Sequence, residues 1–139
     1  MVDRDLVHKK LAFIETRVAE LHSLARLDAI DDDIREERFV VHTLQLAAQA
    51  AIDVASHIVS DERLGEPRTN AELFELLHRA RWIDANLSRS MRNLAGFRNI
   101  VVHGYEDVAL EIVKDIVRNR LVDLLDYVAA IRVKNGSHL

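Results

Sequence analysis

The chain contains no cysteine, so a disulfide framework, a thiolate metal site and a cysteine nucleophile are all excluded. It has a single proline and four glycines, and its aromatics are one tryptophan, two tyrosines and four phenylalanines. That scarcity suits helices and disfavours folds of many short strands and turns. The glycines lie too far apart for a phosphate-cradling loop or a dinucleotide fingerprint, so nucleotidyl transfer by the chain itself is not expected. No Ser-His-Asp order and no zinc spacing occurs. No apolar run approaches the length that spans a bilayer, and no secretory leader is read at the start. A cytoplasmic protein without metal or other cofactor is expected.

What is present is aliphatic: 49% of the 139 residues are hydrophobic. That length suits one domain over residues 1–139 with its own core. The stripe Val7, Leu11, Ile14, Val18, Leu21, Ala25 advances by three or four residues and predicts a helix from about Asp3 to Arg26. Asp31, Asp32 and Asp33 then offer anionic caps to a second helix reaching about Ser60, with Glu36 and Glu37 in its first turn. Thr69 and Glu72 form a capping-box pair for a short third helix carrying Leu73, Phe74 and Leu77. Asp84 is placed to cap a fourth, which runs through Leu87, Met91, Leu94 and Ala95 and is ended or distorted at Gly104. Val108, Ile112, Ile116, Leu121, Leu124, Val128 and Ile131 predict a last helix from about Asp107 to Val133, stopped by Asn135-Gly136. The fold class expected is all-α, an antiparallel bundle of four to five helices.

Charge is unevenly spread. The formal net charge is −4, which argues against a generally basic coat for nucleic acid. Between positions 79 and 98, however, Arg79, Arg81, Arg89, Arg92 and Arg98 face the single acid Asp84. This segment can serve as an RNA track, or simply as a solvated helix face. It leads into Phe97-Arg98-Asn99-Ile100-Val101-Val102-His103-Gly104-Tyr105, where a fixed cation, an amide, a titratable imidazole and a phenol gather at a helix end. Read locally, the same stretch is a helix C-terminus in which His103 and Arg98 complement the dipole. On one ideal helix Arg98 and His103 point about 140° apart, whereas Asn99 and His103 differ by about 40°. Either the helix unwinds near Gly104, or the two groups meet across a two-fold dimer.

Arg98-x4-His103-x-Tyr105, with the polar Asn99 after the arginine and Gly96-Phe97 before it, resembles the signature of HEPN ribonucleases, most closely the HepT toxins. Ala47 to Ile58 is similar to the second helix of that family. The resemblance implies a homodimer with a composite cleft, in which His103 performs acid-base chemistry, Arg98 positions and stabilises phosphate, and Asn99 supports the site. The substrate implied is RNA, tRNA or mRNA, and the partner a MntA-type minimal nucleotidyltransferase antitoxin that adenylylates Tyr105. Tyr105 can alternatively contact RNA directly. A catalytically silent nucleotide-binding subunit is the alternative function, and a structural adaptor a third.

Several residues stand outside that core reading. Asp53 and His57 sit four apart on the second helix, as a pair lining the cleft or, by the commoner pattern, stabilising the helix or an interface. His42 lies too far along that helix to complete a metal site. Trp82 can stack on a base but is better read as a packing anchor. Arg38 enters only through the family likeness. His8, His22, His78 and His138 have polar neighbours and are expected to face solvent.

Overall fold

The computed structural model describes residues 2–103 and 109–136. Its elements are α1 (Arg4–Leu24), a short 3-10 turn (Leu27–Ala29), α2 (Ile34–Asp61), α3 (Asn70–Arg79), α4 (Ala85–His103), α5 (Leu110–Asp115) and α6 (Leu121–Gly136). A five-residue π turn, Ile116–Arg120, joins α5 to α6 without a break, so the last three segments form one rod. Among the described residues no strand occurs. Gly104, Tyr105, Asp107, Val108 and His138 lie outside them, and with them the expected stop at Gly104 and the expected start of the last helix.

The helix starts follow the capping chemistry. The Asp3 carboxylate accepts from the Leu6 amide, the Asp33 carboxylate from Arg35, Thr69 Oγ1 from Glu72 and Asp84 Oδ1 from Leu87. Each satisfies a donor that the first turn leaves without a partner. The Glu72 carboxylate reaches back to the amide of Arg68 rather than to that of Thr69, so the capping box closes one residue early. The ends of α2 and α3 are built alike. Arg63 (φ 52°) and Arg81 (φ 65°) take the left-handed position usually given to glycine. The next residues then bond back five positions, Leu64 to Val59 and Trp82 to Leu77. Trp82, 5% exposed, is the buried residue that closes the second of these motifs. It is an anchor and not a free stacking surface. Gly65 has φ +145°, a backbone conformation that other residues rarely adopt, so glycine is favoured there.

The rods alternate in direction. Along α1 the Asp3 amide donates to His57 Nε2 and Lys10 pairs with Asp53, so α2 descends as α1 rises. Ile100 near the end of α4 faces Ile112 at the start of α5, while the opposite end of α4 lies beside Asp126 and Ala130. Lys114 bonds Asp31 and Glu111, tying α5 to the loop that precedes α2. These carboxylates raise the Lys114 pKa above its ordinary value. One apolar core runs through the bundle, with Leu11, Ile14, Leu44, Ile58, Phe74, Leu77, Met91, Leu121 and Tyr127 fully buried.

One expected stripe is displaced. Ile112 is 52% exposed and Ile116 half-buried, whereas Val113 and Val117 are in the core. Two apolar rows, 112/116 and 113/117, run side by side on this rod, and the row that continues into Leu121, Leu124, Val128 and Ile131 is the second. The first faces α4 across a groove. Ala25, expected to extend the α1 stripe, instead caps that helix in extended conformation.

Glu15 of α1 receives both terminal nitrogens of Arg132 from α6, at 2.6 and 2.8 Å. This fork lowers the Glu15 pKa, chiefly through the hydrogen bond. The folded carboxyl therefore titrates below the unfolded one, near pH 4.3. The stabilisation is complete above about pH 5 and is lost as pH falls through the folded value. Both side chains are about two-fifths exposed, so the pair contributes no more than about 1 kcal/mol. Glu15→Gln should lose that increment at pH 7 and show a shallower decline of the urea midpoint between pH 6 and 3. An acid limb unchanged by the substitution would contradict this linkage.

Candidate active site

α4 is continuous from Ala85 to His103. Its inner row, Leu87, Met91, Leu94 and Ala95, packs in the core, and the buried Ser88 hydroxyl donates to the Phe74 carbonyl at 3.2 Å, fixing α4 to α3. With no unwinding between Arg98 and His103, the two positions stay about 140° apart around the axis.

Arg98 turns toward the half-buried side of α4. Its Nη1 donates to Asn99 Oδ1 at 3.2 Å, and its Nε is buried with no partner. Asn99 therefore gives its amide oxygen to Arg98. Within the motif, Arg98 thus holds a buried Nε–H without a partner. Tyr105 lies outside the described residues.

The arginine segment does not form one track. Arg79 and Arg81 are exposed at the turn between α3 and α4, about 20 Å along the helix from Arg98. Arg92 is bound at 2.9 Å to Glu75 of α3 and bonds back to the Ser88 carbonyl. Arg89 is exposed, and its position is half a turn of the helical wheel away from that of Arg98. Asp53 and His57 do not pair with each other: Asp53 bonds Lys10 and Gln49, and His57 accepts from Asp3. They line a groove between α1 and α2 with Leu6 and Ser60, and neither lines the groove beside α4. Arg38, His8, His22, His42 and His78 are exposed.

A concavity of about 860 Å³ lies between α4 and the rod formed by α5, the π turn and α6. Arg89, Asn93, Gly96 and Ile100 form one wall and Ile112, Ile116 and Arg120 the other, with Asp115 and Asp123 on the same rim. Arg120 was not singled out by sequence reasoning. The available signal was the five-residue step from Ile116 to Leu121 in the apolar pattern, which is where the π turn falls. Among the described residues no group of three or more histidines, aspartates or glutamates is placed to hold a metal ion. No helix in that set is long and apolar enough to cross a membrane.

A helical bundle whose fourth helix ends in an arginine, an amide and a histidine defines a HEPN-type helical protein. The model of the Ribonuclease HepT-like family matches residues 14–131, and the chain belongs to that family. It is 28% identical over 131 residues to the mRNA nuclease HepT of Shewanella oneidensis, covering 94% of this chain and 98% of that protein. It is 33% identical over 82 residues to the tRNA nuclease HepT of Aphanizomenon flos-aquae, 59% of this chain and 56% of the relative. The fold superposes with a TM-score of 0.86, at 28% identity and over 94% and 99% of the two chains, on a solved structure described as the tri-AMPylated Shewanella oneidensis HEPN toxin in complex with MNT antitoxin.

Proposed function

We propose that this protein is the toxin of a toxin-antitoxin pair, a cytoplasmic endoribonuclease acting as a homodimer. Its composite cleft takes Arg98 and His103 from both subunits. The observation that carries the reading is the presence, in a member of the HepT-like family, of Arg98, Asn99, His103 and Tyr105 at the signature spacing. RNA brings its own nucleophile. A base removes the 2′-hydroxyl proton, the 2′-oxygen attacks phosphorus, and the P–O5′ bond breaks as an acid protonates the leaving 5′-oxygen. The products are a 2′,3′-cyclic phosphate and a 5′-hydroxyl. One imidazole cannot readily be base and acid in the same step, and a dimer offers two. Arg98 is the cation for the phosphorane, with Asn99 steadying its guanidinium. No step needs a metal. Arg89 and Arg120 are exposed on the groove beside α4.

The partner is an MNT-type nucleotidyltransferase antitoxin that adenylylates Tyr105. Adenylates beside Arg98 compete with RNA phosphate for the same cation. The test incubates protein verified by intact mass as unmodified, and His103→Ala, with total RNA and tRNA in EDTA, and then identifies fragment ends. Cyclic-phosphate ends from the parent and none from the variant are expected. Equal behaviour of the two would overturn the ribonuclease reading in favour of a silent nucleotide-binding subunit.

A further inference from the structure

Asn135-Gly136 reads as a helix stop, yet α6 runs through both residues to Gly136. Asn135 is therefore carried inward on the row that holds Val128 and Ile131, and it is 1% exposed. Its Nδ2 is buried there with no hydrogen-bond partner among the described residues. An orphaned amide donor weakens the turn that carries it, and the last turn of a helix is where opening starts.

What opening releases is decided by the next residue. A peptide nitrogen can attack the Cγ of the asparagine before it, and does so fastest when it belongs to glycine, which brings no side chain into the forming ring. The chain has six asparagines; five precede Ala71, Leu87, Leu94, Ile100 and Arg120, and Asn135 alone precedes glycine. Ring closure requires the backbone to leave the helical ψ of about −42°. The closed helix thus holds the reacting atoms apart, and burial keeps out the water that completes the reaction.

We propose that Asn135-Gly136 is a modification site gated by folding, inert while the end of α6 is closed and self-deamidating once it opens. The Gly136 nitrogen bonds to Asn135 Cγ and gives up its proton, the side-chain nitrogen leaves as ammonia, and a succinimide forms. Water then opens the ring at either carbonyl to leave aspartate or isoaspartate. Neither product fits the closed helix. Aspartate puts a charge where even a neutral amide lacks a partner, and an ionised group is far costlier to bury. Isoaspartate lengthens the main chain by one carbon and breaks the hydrogen-bond ladder. The contact of Lys134 with the Trp82 ring, at 5.9 Å, joins this end of α6 to the α3–α4 turn, so the damage reaches both. A molecule that has opened keeps a weakened α6 and does not reset.

The test incubates full-length protein in mildly alkaline buffer, with and without urea above the unfolding midpoint, and follows each asparagine by peptide mass. In urea Asn135 should convert faster than the other five, and in buffer alone at least about a hundredfold more slowly than in urea, because the site seldom opens. Gly136→Ala makes the test specific, since a Cβ there meets nothing within 4 Å and alanine suits a helix better. In urea it should bring conversion at position 135 down to the level of the other asparagines. After urea is removed, converted parent should unfold at a midpoint about 1 M below that of fresh protein. Asn135→Asp should show the same shift untreated, and Gly136→Ala given the same treatment should recover its own starting midpoint. Equal conversion in buffer and urea would overturn the gate, and an Asn135 that stays intact in urea would overturn the site. Converted protein with an unchanged midpoint, or a Gly136→Ala that loses as much as the parent, would overturn the effect on the fold.

Discussion

Replacing Arg98 with leucine is expected to lower RNA cleavage by about two to three orders of magnitude while leaving the protein at least as stable as the parent. The two effects separate because of where the guanidinium sits. Its Nη1 bonds the neighbouring Asn99, and its Nε is buried without a partner. A buried donor left unsatisfied costs about 1–3 kcal/mol, and an apolar side chain of similar volume removes that cost. Within the folded protomer Arg98 is thus a group whose own burial is poorly compensated. In the proposed cleft it is the fixed charge assigned to the developing phosphorane. Arg98→Lys should also cut slowly, because an ammonium keeps the charge but loses the planar fork that spans two phosphate oxygens. Urea unfolding and initial cleavage rates on the same preparations decide the matter. A leucine variant that is both unstable and inactive would make Arg98 a structural residue, and one that is stable and fully active would remove it from the chemistry.

Much of the architecture was legible because local chemistry and global packing agree. Asp33, Thr69 and Asp84 announce helix starts, and the structure bonds each to the first turn that follows it. The stripe of α1 from Val7 to Leu21 is buried as its spacing requires. The last rod was less legible. Residues 112/116 and 113/117 are equally good apolar rows, and periodicity cannot choose between them when both are used, one for the core and one for an open groove. The π turn adds to the difficulty, since it changes the angle per residue partway along the rod.

The candidate site was legible as composition and not as orientation. The motif residues could be named from their spacing, but the half-buried setting of Arg98 and its bond to Asn99 depend on packing against other helices. The run of arginines read as one basic stretch, because sequence proximity hides the position of each residue around the helix and the presence of partners such as Glu75. Asp53 and His57 were correctly seen as neighbours on a helix, yet their partners, Lys10 and Asp3, come from a segment more than forty residues away.

Tyr127 bears both on stability and on the proposed modification. It is fully buried, its ring meets Phe74 edge-on at 5.8 Å, and its hydroxyl donates to the Ala51 carbonyl at 2.9 Å, so one side chain joins α6 to α3 and α2. Tyr127→Ala should cost about 3–5 kcal/mol through the cavity it leaves, a large part of the 5–15 kcal/mol that is usual for a domain. Tyr127→Phe keeps the ring and should cost only about 1 kcal/mol. Burial also pushes the phenol's pKa far above its ordinary value. The stabilisation is complete below the unfolded pKa near 10 and is lost as pH rises beyond it, a dependence that Tyr127→Phe should weaken. The chain has only one other tyrosine, Tyr105. With Tyr127 closed off in the core, nucleotidyl groups attached to tyrosine must fall on Tyr105. Protein co-expressed with a nucleotidyltransferase partner should therefore show the same mass increment in the parent and in Tyr127→Phe, and none in Tyr105→Phe. An increment that survived in Tyr105→Phe would move the modification to another residue and, with it, the proposed point of control.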